Sequence, residues 1–195
     1  MIPIILASGS VQRKKLLQQL GLKFKVDKSS VDEIEEITST CSAFVIHNAR
    51  IKAQDVALRH KKGIIIGADT TVYIGQKEII GKPKNIKDAQ RILKILFHQP
   101  QWVYTGVVVI DAETKKMIKG YEKTKVFMTP LSDEEIDLYH KKVHPFDKAG
   151  GFDIEGFGSI FIRRIEGCYT NVIGLPMAKL SQMLKVMGVS ILHEV

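Results

Sequence analysis

The sequence predicts a mixed fold, either α/β or α+β, with at least one antiparallel hairpin. Short apolar runs typical of strands alternate with amphipathic helix patterns along the 195-residue chain. Two long runs of β-forming residues, Trp102 to Ala112 and Tyr121 to Thr129, flank the polar turn DAETKK and predict a hairpin. Internal repeats and low-complexity linkers are absent, so we expect one domain over residues 1–195, with two lobes and no clean boundary.

The N-terminal segment has the pattern of a strand, a polar turn and a helix. The run Ile2 to Ala7 predicts a short buried strand, and the following SGS can cap a helix over Val11 to Leu20. The first-turn backbone N–H groups of such a helix point at the turn and can bind phosphate. Ser8, Ser10 and Arg13 are therefore candidate phosphate-binding residues, although an ordinary capped helix has the same pattern.

The next apolar run contains an aspartate that is unusual for a strand. A helix is predicted over Ser42 to His60, followed by the β-rich run GIIIGADTTVYIG. Aspartate is disfavoured within strands, so we expect the strand to be interrupted at Gly67 and Asp69 by a bend or an end exposed to a cleft. Glu78 to Ile80 is the predicted hairpin partner, and the GKP that follows turns the chain directly after Lys82.

The second half of the chain predicts further helices and one strand. Asp88 to Leu96 has a helical pattern, and Ser132 with Glu135 forms a capping box for a helix that extends to about Lys142. The run SIFIRRI predicts a strand. A C-terminal helix over Leu175 to Met187 completes the pattern.

Composition limits the classes of protein to be considered. The net charge is +8, which favours anionic partners such as nucleotides. The longest apolar runs are far shorter than the roughly 20 residues of a membrane-spanning helix, and the N-terminal run lacks the charge order of a signal peptide, so we expect a cytoplasmic protein. Cys41 and Cys168 suit reduced structural thiols. Without a zinc finger, an arginine-rich tail or an aromatic-glycine signature, no stable nucleic-acid partner is expected.

The segment His144 to Ser159 combines mixed charges with glycines. Asp147, Lys148, Asp153 and Glu155 all lie within it. Glycines allow the backbone to approach a ligand, and charges beside them suit a nucleotide phosphate with its metal ion. A mobile surface loop is the alternative interpretation of this segment.

Several motifs in order along the chain resemble the Maf (septum-formation-inhibitor-like) nucleoside triphosphate pyrophosphatases. The resemblance implies a two-lobed fold with a deep central cleft, similar to the inosine triphosphate pyrophosphatases. It also implies hydrolysis of a nucleoside triphosphate to a monophosphate and pyrophosphate. The motifs are ILASGSVQRKKLLQQLG from Ile5, ARIKA from Ala49, IGADTTV from Ile66, GKP from Gly81, YTGV from Tyr104, DKAGG from Asp147 and NVIGLP from Asn171.

The resemblance implies that Asp69 is the proton acceptor. Asp69 and Glu33 are the carboxylates expected to hold a divalent cation, Mg²⁺ or Mn²⁺, since hard cations prefer oxygen ligands. Glu33 lies in the acidic run VDEIEEI, where Asp32, Glu35 and Glu36 are hard to exclude. Four cationic side chains are candidate partners for the triphosphate: Arg13, Lys52, Lys82 and Lys148. Lys52 and Lys82, together with Asp69 and Glu33, are the predicted catalytic residues.

The residues expected to select the base give a divided answer. Thr70 and DKAGG resemble the family branch that acts on dTTP and UTP, whereas Glu155 in EGFG resembles the branch that acts on 7-methyl-GTP. Gln12 matches neither branch. A carboxylate only accepts hydrogen bonds, so Glu155 favours a base edge with two donors, as in a purine, if it faces the base. The alternative role for Glu155 is that of a metal ligand.

We therefore expect a metal-dependent pyrophosphatase that removes noncanonical or surplus nucleotides. The alternative is a nucleotide-binding regulator of cell division with little turnover, as the family's name suggests. A basic nucleic-acid-binding domain is a further rival that rests on bulk charge alone. The resemblance also allows a homodimer.

Overall fold

A computed structural model describes residues 2–34, 40–75 and 78–193, which form a mixed sheet and several helices. The strands are β1 (Ile4–Leu6), β2 (Phe24–Val26), β3 (Ile64–Ile74), β4 (Glu78–Ile80), β5 (Gln101–Asp111), β6 (Met117–Met128) and β7 (Ile162–Glu166). The α-helices are α1 (Val11–Gln19), α2 (Cys41–Arg59), α3 (Ile86–His98), α4 (Asp133–Lys142), α5 (Tyr169–Ile173) and α6 (Met177–Val186).

The sheet has the strand order β2-β1-β3-β5-β6-β7, and β4 pairs with β3. Strand β1 runs parallel to both neighbours, with Ile4 opposite Phe24 of β2 and Ile64 of β3. The β3–β4 and β6–β7 pairs are antiparallel. This mixture confirms the predicted α/β class.

The chain divides into two compact units. The first contains Met1–Asp69, Thr105–Glu122 and Gly174–Val195, and the second contains Thr70–Tyr104 and Lys123–Ile173.

The Glu35 and Glu36 alternatives for the metal-binding carboxylate lie outside the described residues.

The core of the first unit forms where α2 packs on strands. Small helix residues, including Ala49 and Ala53, are fully buried against apolar strand residues such as Ile65. Glycines in the strands allow this close approach, since an ideal Cβ at Gly67 would lie 2.3 Å from the carbonyl oxygen of Ala49. A Cβ at Gly106 would meet the carbonyl oxygen of Val45 at the same distance. The backbone of α2 therefore packs directly on the sheet, which fixes the distance of its polar side chains from the strands.

The core of the second unit is a separate apolar cluster. Leu93 and Leu96 of α3 and Tyr139 of α4 pack with buried strand residues such as Val126, and Phe161 completes the cluster. The α4 capping box is present as predicted, because Ser132 and Glu135 each bind the other's backbone N–H.

The predicted interruption of the central strand is wrong. Strand β3 is continuous from Ile64 to Ile74, and Asp69 lies inside it with 6% of its surface exposed. The aspartate is accepted within the strand because its carboxylate pairs with the ammonium of Lys52. The sequence patterns also missed the short elements β2 and α5. Among the described residues, every helix is too short or too polar to span a membrane.

Candidate active site

The main polar cluster of the first unit centres on the ammonium of Lys52. Its Nζ lies 2.7 Å from Oδ1 of Asp69 and 2.8 Å from Oε2 of Glu33. Asp69 and Lys52 are both buried, whereas about half of the Glu33 side chain is exposed at 49%. The structure therefore brings together three of the predicted catalytic residues, with one carboxylate at the solvent boundary.

Helix α2 presents a second polar side chain, Asn48, to this cluster. Asn48 lies four residues before Lys52, so both project from one face of the helix. Its amide oxygen accepts the N–H of Ile34 at 3.1 Å, and its Nδ2 donates to the carbonyl of Ile34 at 3.1 Å. The same Nδ2 lies 3.4 Å from Oδ2 of Asp69. Asn48 thus fixes the backbone next to Glu33 while it contacts Asp69.

Asn48 was missed by sequence reasoning. A lone asparagine in a helix has no distinctive pattern. Its spacing of four residues from Lys52 was the available signal.

Arg13 is buried beside the strand that carries Asp69. Its Nη1 donates to the carbonyl of Ala68 at 2.8 Å and to Oγ of Ser8 at 3.1 Å. Its Nε donates to the carbonyl of Gly174 at 2.9 Å. Burial lowers the pKa of Arg13, while the negative charges of Asp69 and Glu33 act in the opposite direction. Arg13 therefore supports the backbone immediately before Asp69 as well as contributing positive charge.

Asp69 is held in its ionised form. Burial alone would raise the pKa of this carboxyl, but the charge and hydrogen bond of Lys52, together with Arg13, lower it below its usual range. A carboxylate with a lowered pKa is a weak base at neutral pH, yet it is a good ligand for a cation and a good acceptor for a positioned water.

The donor set suits a hard divalent cation. Glu33 and Asp69 supply carboxylate oxygens that converge on the Lys52 ammonium, so this position already holds positive charge. Among the described ranges, no group of three or more His, Cys, Asp and Glu side chains is placed to hold a metal. Mg²⁺ commonly takes one or two carboxylates and completes its shell with water and substrate phosphates, and two carboxylates fit that mode.

The SGS turn forms the predicted N-cap of α1. The Oγ of Ser10 accepts the backbone N–H of Arg13 at 3.4 Å and donates to Oε1 of Gln12 at 3.1 Å. The Oγ of Ser8 accepts the N–H of Ser10 at 3.2 Å. These hydroxyls therefore build the turn itself, which orients the first-turn N–H groups of α1.

The second unit contains the other predicted binding residues. Nζ of Lys148 lies 2.6 Å from the carboxylate of Asp147 and donates to the carbonyl of His144 at 3.1 Å. The N–H of Gly150 donates to the carbonyl of Gly81 at 2.9 Å, which joins the DKAGG segment to the GKP segment. Lys82, the next residue after Gly81, is exposed. The two loops that carry the lysines are therefore neighbours within this unit.

The two remaining candidates also belong to the second unit. Thr70 is half-buried in β3 directly after Asp69. Glu155 is half-buried at the N-cap of a short 3₁₀ helix, Gly156–Ile160.

The fold and the first cluster define a mixed α/β protein with a buried carboxylate on strand β3, a buried ammonium on helix α2 and a buried guanidinium group on helix α1. The chain belongs to the Maf-like protein family, whose family model matches residues 3–187.

Curated relatives agree with this membership. A dTTP/UTP pyrophosphatase of Desulforamulus reducens is 43% identical over 98% of this chain and 100% of the relative. Those of Clostridium tetani and Bacillus cereus are each 42% identical, over 96% and 97% of this chain and 98% of each relative. Among solved structures, a HAM1 protein from Coxiella burnetii is similar at a TM-score of 0.47 and 20% identity, over 66% of this chain and 73% of that chain.

Proposed function

We propose that this protein hydrolyses nucleoside triphosphates to monophosphates and pyrophosphate, with dTTP and UTP as its main substrates. The observation that carries the proposal is the ionised, buried Asp69 held by Lys52 and placed directly after the residue that binds Arg13. A buried carboxylate with this support is costly for a fold and is typical of catalytic sites. Relatives that share the full length of the chain and are named dTTP/UTP pyrophosphatases give the substrate class.

In the first unit, we assign the acidic residues to binding of the cation and the attacking water, and the basic residues to balancing the charge of those carboxylates. Glu33 and Asp69 would hold a divalent cation, Mg²⁺ or Mn²⁺, which when bound neutralises phosphate charge and lowers the pKa of a bound water. Asp69 accepts a hydrogen bond from the attacking water and orients it. Lys52 keeps Asp69 ionised and contacts both carboxylates, while Arg13 fixes the strand.

Phosphate binding is assigned to groups at loop ends. The amides of the turn that contains Ser8 and Ser10 would donate hydrogen bonds to an anion at the start of α1. In the second unit, Lys82 and Lys148 supply positive charge from two hydrogen-bonded loops. Cations at such positions favour the developing negative charge on a leaving pyrophosphate.

Base recognition is assigned to Gln12, Thr70 and Glu155. The carboxylate of Glu155 can accept the single N3–H of uracil or thymine, which is compatible with the substrates of the named relatives. Because guanine offers two donors to the same carboxylate, GTP and 7-methyl-GTP are the competing substrates to compare. The occurrence of these nucleotides inside cells supports a cytoplasmic location.

The direct test measures pyrophosphate release from dTTP, UTP, CTP, GTP and 7-methyl-GTP with Mg²⁺, with Mn²⁺ and with chelator. Wild type is compared with Asp69→Asn and with a matched control, Asp133→Asn, which changes an exposed carboxylate paired with Lys94. We expect metal-dependent turnover of dTTP and UTP that is lost in Asp69→Asn and kept in the control. Tight nucleotide binding without turnover in wild type would instead favour a nucleotide-binding regulator.

A further inference from the structure

The carboxylate of Asp153 closes a short loop that carries Glu155. The N–H of Gly158 donates to Oδ1 of Asp153 at 2.9 Å, which ties together two residues five apart. The loop is so tight that an ideal Cβ at Gly158 would lie 1.6 Å from the carbonyl oxygen of Asp153. Gly156, next to Glu155, has a φ of 58°, a conformation that favours glycine. The backbone on both sides of Glu155 is therefore constrained.

Tyr139 attaches this closed loop to the core of the second unit. Its hydroxyl accepts the N–H of Asp153 at 3.2 Å and donates to Oδ1 of Asp153 at 3.4 Å. The tyrosine is 4% exposed, and its ring packs edge-on against Phe161 with centroids 5.0 Å apart. Burial raises the pKa of Tyr139, so the phenol stays protonated and remains a donor.

The Asp153 carboxyl is itself partly withdrawn from water. Burial raises its pKa, while the amide of Gly158, the charge of Lys148 and the Tyr139 hydroxyl lower it. A carboxylate kept in such a position costs free energy unless its hydrogen bonds are retained. These bonds hold a loop and the start of the short 3₁₀ helix Gly156–Ile160, a segment that the proposed function assigns to the substrate.

We propose that Asp153 and Tyr139 are positioning residues that set base selectivity by fixing the loop that carries Glu155. The inference rests on the proposed function, because it assigns Glu155 to the base. Glu155 lies between Asp153 and Gly158, whose hydrogen bond closes the loop. Loss of that hydrogen bond would let the carboxylate of Glu155 reach alternative positions. A fixed acceptor distinguishes bases with different donor patterns, whereas a mobile acceptor adapts to each of them.

The experiment compares selectivity in five variants: Asp153→Ala, Asp153→Asn, Tyr139→Phe, Glu155→Gln and the double variant Asp153→Ala with Glu155→Gln. The readout is the ratio of kcat/KM for UTP to kcat/KM for GTP, with kcat and KM resolved separately. Equilibrium dissociation constants of both nucleotides are measured on the same samples with Ca²⁺ in place of Mg²⁺. The control is Asp133→Ala on the outside of α4.

We expect Asp153→Ala to change the UTP to GTP ratio by about tenfold, mainly through KM, because the lost contact acts on binding. Asp153→Asn should keep the ratio within about twofold, since its side-chain oxygen can still accept from the Gly158 amide and the Tyr139 hydroxyl. Tyr139→Phe should give an intermediate change without loss of the ring packing. In the Glu155→Gln background, Asp153→Ala should have little further effect, because both changes act on the same contact.

Three results would overturn the inference. The first is an unchanged ratio in a folded Asp153→Ala protein, as judged by its melting temperature. The second is an equal change in the presence and absence of Glu155, which would mean that Asp153 acts by another route. If Asp153→Ala fails to fold, an unchanged ratio in Tyr139→Phe is the third. Failure of the proposed function is distinguishable, because wild type then releases no pyrophosphate while the ratio of dissociation constants still reports on Asp153.

Discussion

Gly67 and Ala49 are in direct backbone contact across the packing of α2 on β3. An ideal Cβ at Gly67 would lie 2.3 Å from the carbonyl oxygen of Ala49 and 2.7 Å from the Cβ of Ala53. The contact lies one helical turn from Lys52 and two residues from Asp69, whose side chains meet at 2.7 Å. A helix held further from the strand would separate this pair, so the glycine helps determine the geometry of the site.

Gly67→Ala is expected to destabilise the fold by about 2 kcal/mol or more, because backbone atoms of a helix cannot move aside as a flexible side chain can. Urea unfolding measures the effect. Gly120→Ala is the matched control, since its Cβ would meet Lys179 at an ordinary 3.5 Å. Equal stability of the two variants would contradict the packing argument.

Lys52→Gln is expected to raise the pKa of Asp69, because it removes the charge and hydrogen bond that, together with Arg13 and Glu33, outweigh burial there. The carboxylate then protonates at a higher pH, so the acidic limb of the kcat/KM profile should move upward and activity at neutral pH should fall by about a hundredfold. Pyrophosphate release between pH 5 and 9 measures this change. Lys62→Gln, at an exposed lysine paired with Glu113, should leave the profile in place.

His140 should make the fold less stable at mildly acidic pH. Both ring nitrogens lack a hydrogen-bond partner among the residues that the structure describes, and burial lowers the pKa of this histidine. The unfolded chain therefore binds a proton near pH 6.5 that the folded chain resists, so stability is lost as the pH falls below that value. When the pH is lowered from 8 to 5.5, the free energy of unfolding of His140→Phe should rise by about 1 kcal/mol relative to that of wild type.

Urea unfolding at the two pH values tests this expectation, with His98→Phe at an exposed position as the control. A gain of the same size at both pH values would show that packing, rather than titration, accounts for the effect of His140→Phe.

Asp27 should contribute to stability only above the pKa of an unfolded aspartate. Hydrogen bonds from Arg59 and then from His60, both at 2.8 Å, lower the pKa of Asp27. A carboxyl with a lowered pKa stabilises the fold above about pH 4, and that contribution is lost as the pH falls through the folded pKa. Because these groups are partly exposed, Asp27→Asn should cost only about 0.5 kcal/mol at pH 7.

Thermal melts of wild type and Asp27→Asn at pH 7 and pH 2.5 measure this difference, which should shrink at the lower pH. Glu113→Gln removes a looser surface pair with a separation of 3.7 Å and serves as the control. A constant difference at both pH values would argue against the ionisation of Asp27 as its source.

Local patterns predicted the elements whose signals lie close together in the sequence. The capping box needs only Ser132 and Glu135, three residues apart, and the hairpin partner β4 follows its turn directly. Strand β2, by contrast, has three residues and depends on pairing with β1, which lies about twenty residues earlier. Such an element is stabilised by tertiary contact rather than by its own pattern.

In the candidate site, too, some features were predicted from local motifs, whereas others depend on tertiary contacts. The resemblance of the IGADTTV motif identified Asp69, but its burial inside a continuous strand depends on Lys52, seventeen residues away. The contacts of Asn48 with Ile34 and Asp69 depend on how α2 packs, which no local pattern encodes. The attachment of the Asp153 loop to the core likewise depends on Tyr139 of α4, which lies 14 residues earlier.

The cluster around Lys52 is electroneutral. Two cations, Lys52 and Arg13, balance two anions, Glu33 and Asp69, and a nucleoside triphosphate brings about four negative charges of its own. By charge alone, this group of side chains therefore exerts no long-range attraction on its proposed substrate. We expect a divalent cation that accompanies the nucleotide to offset part of that negative charge, which the side chains of the cluster leave unbalanced.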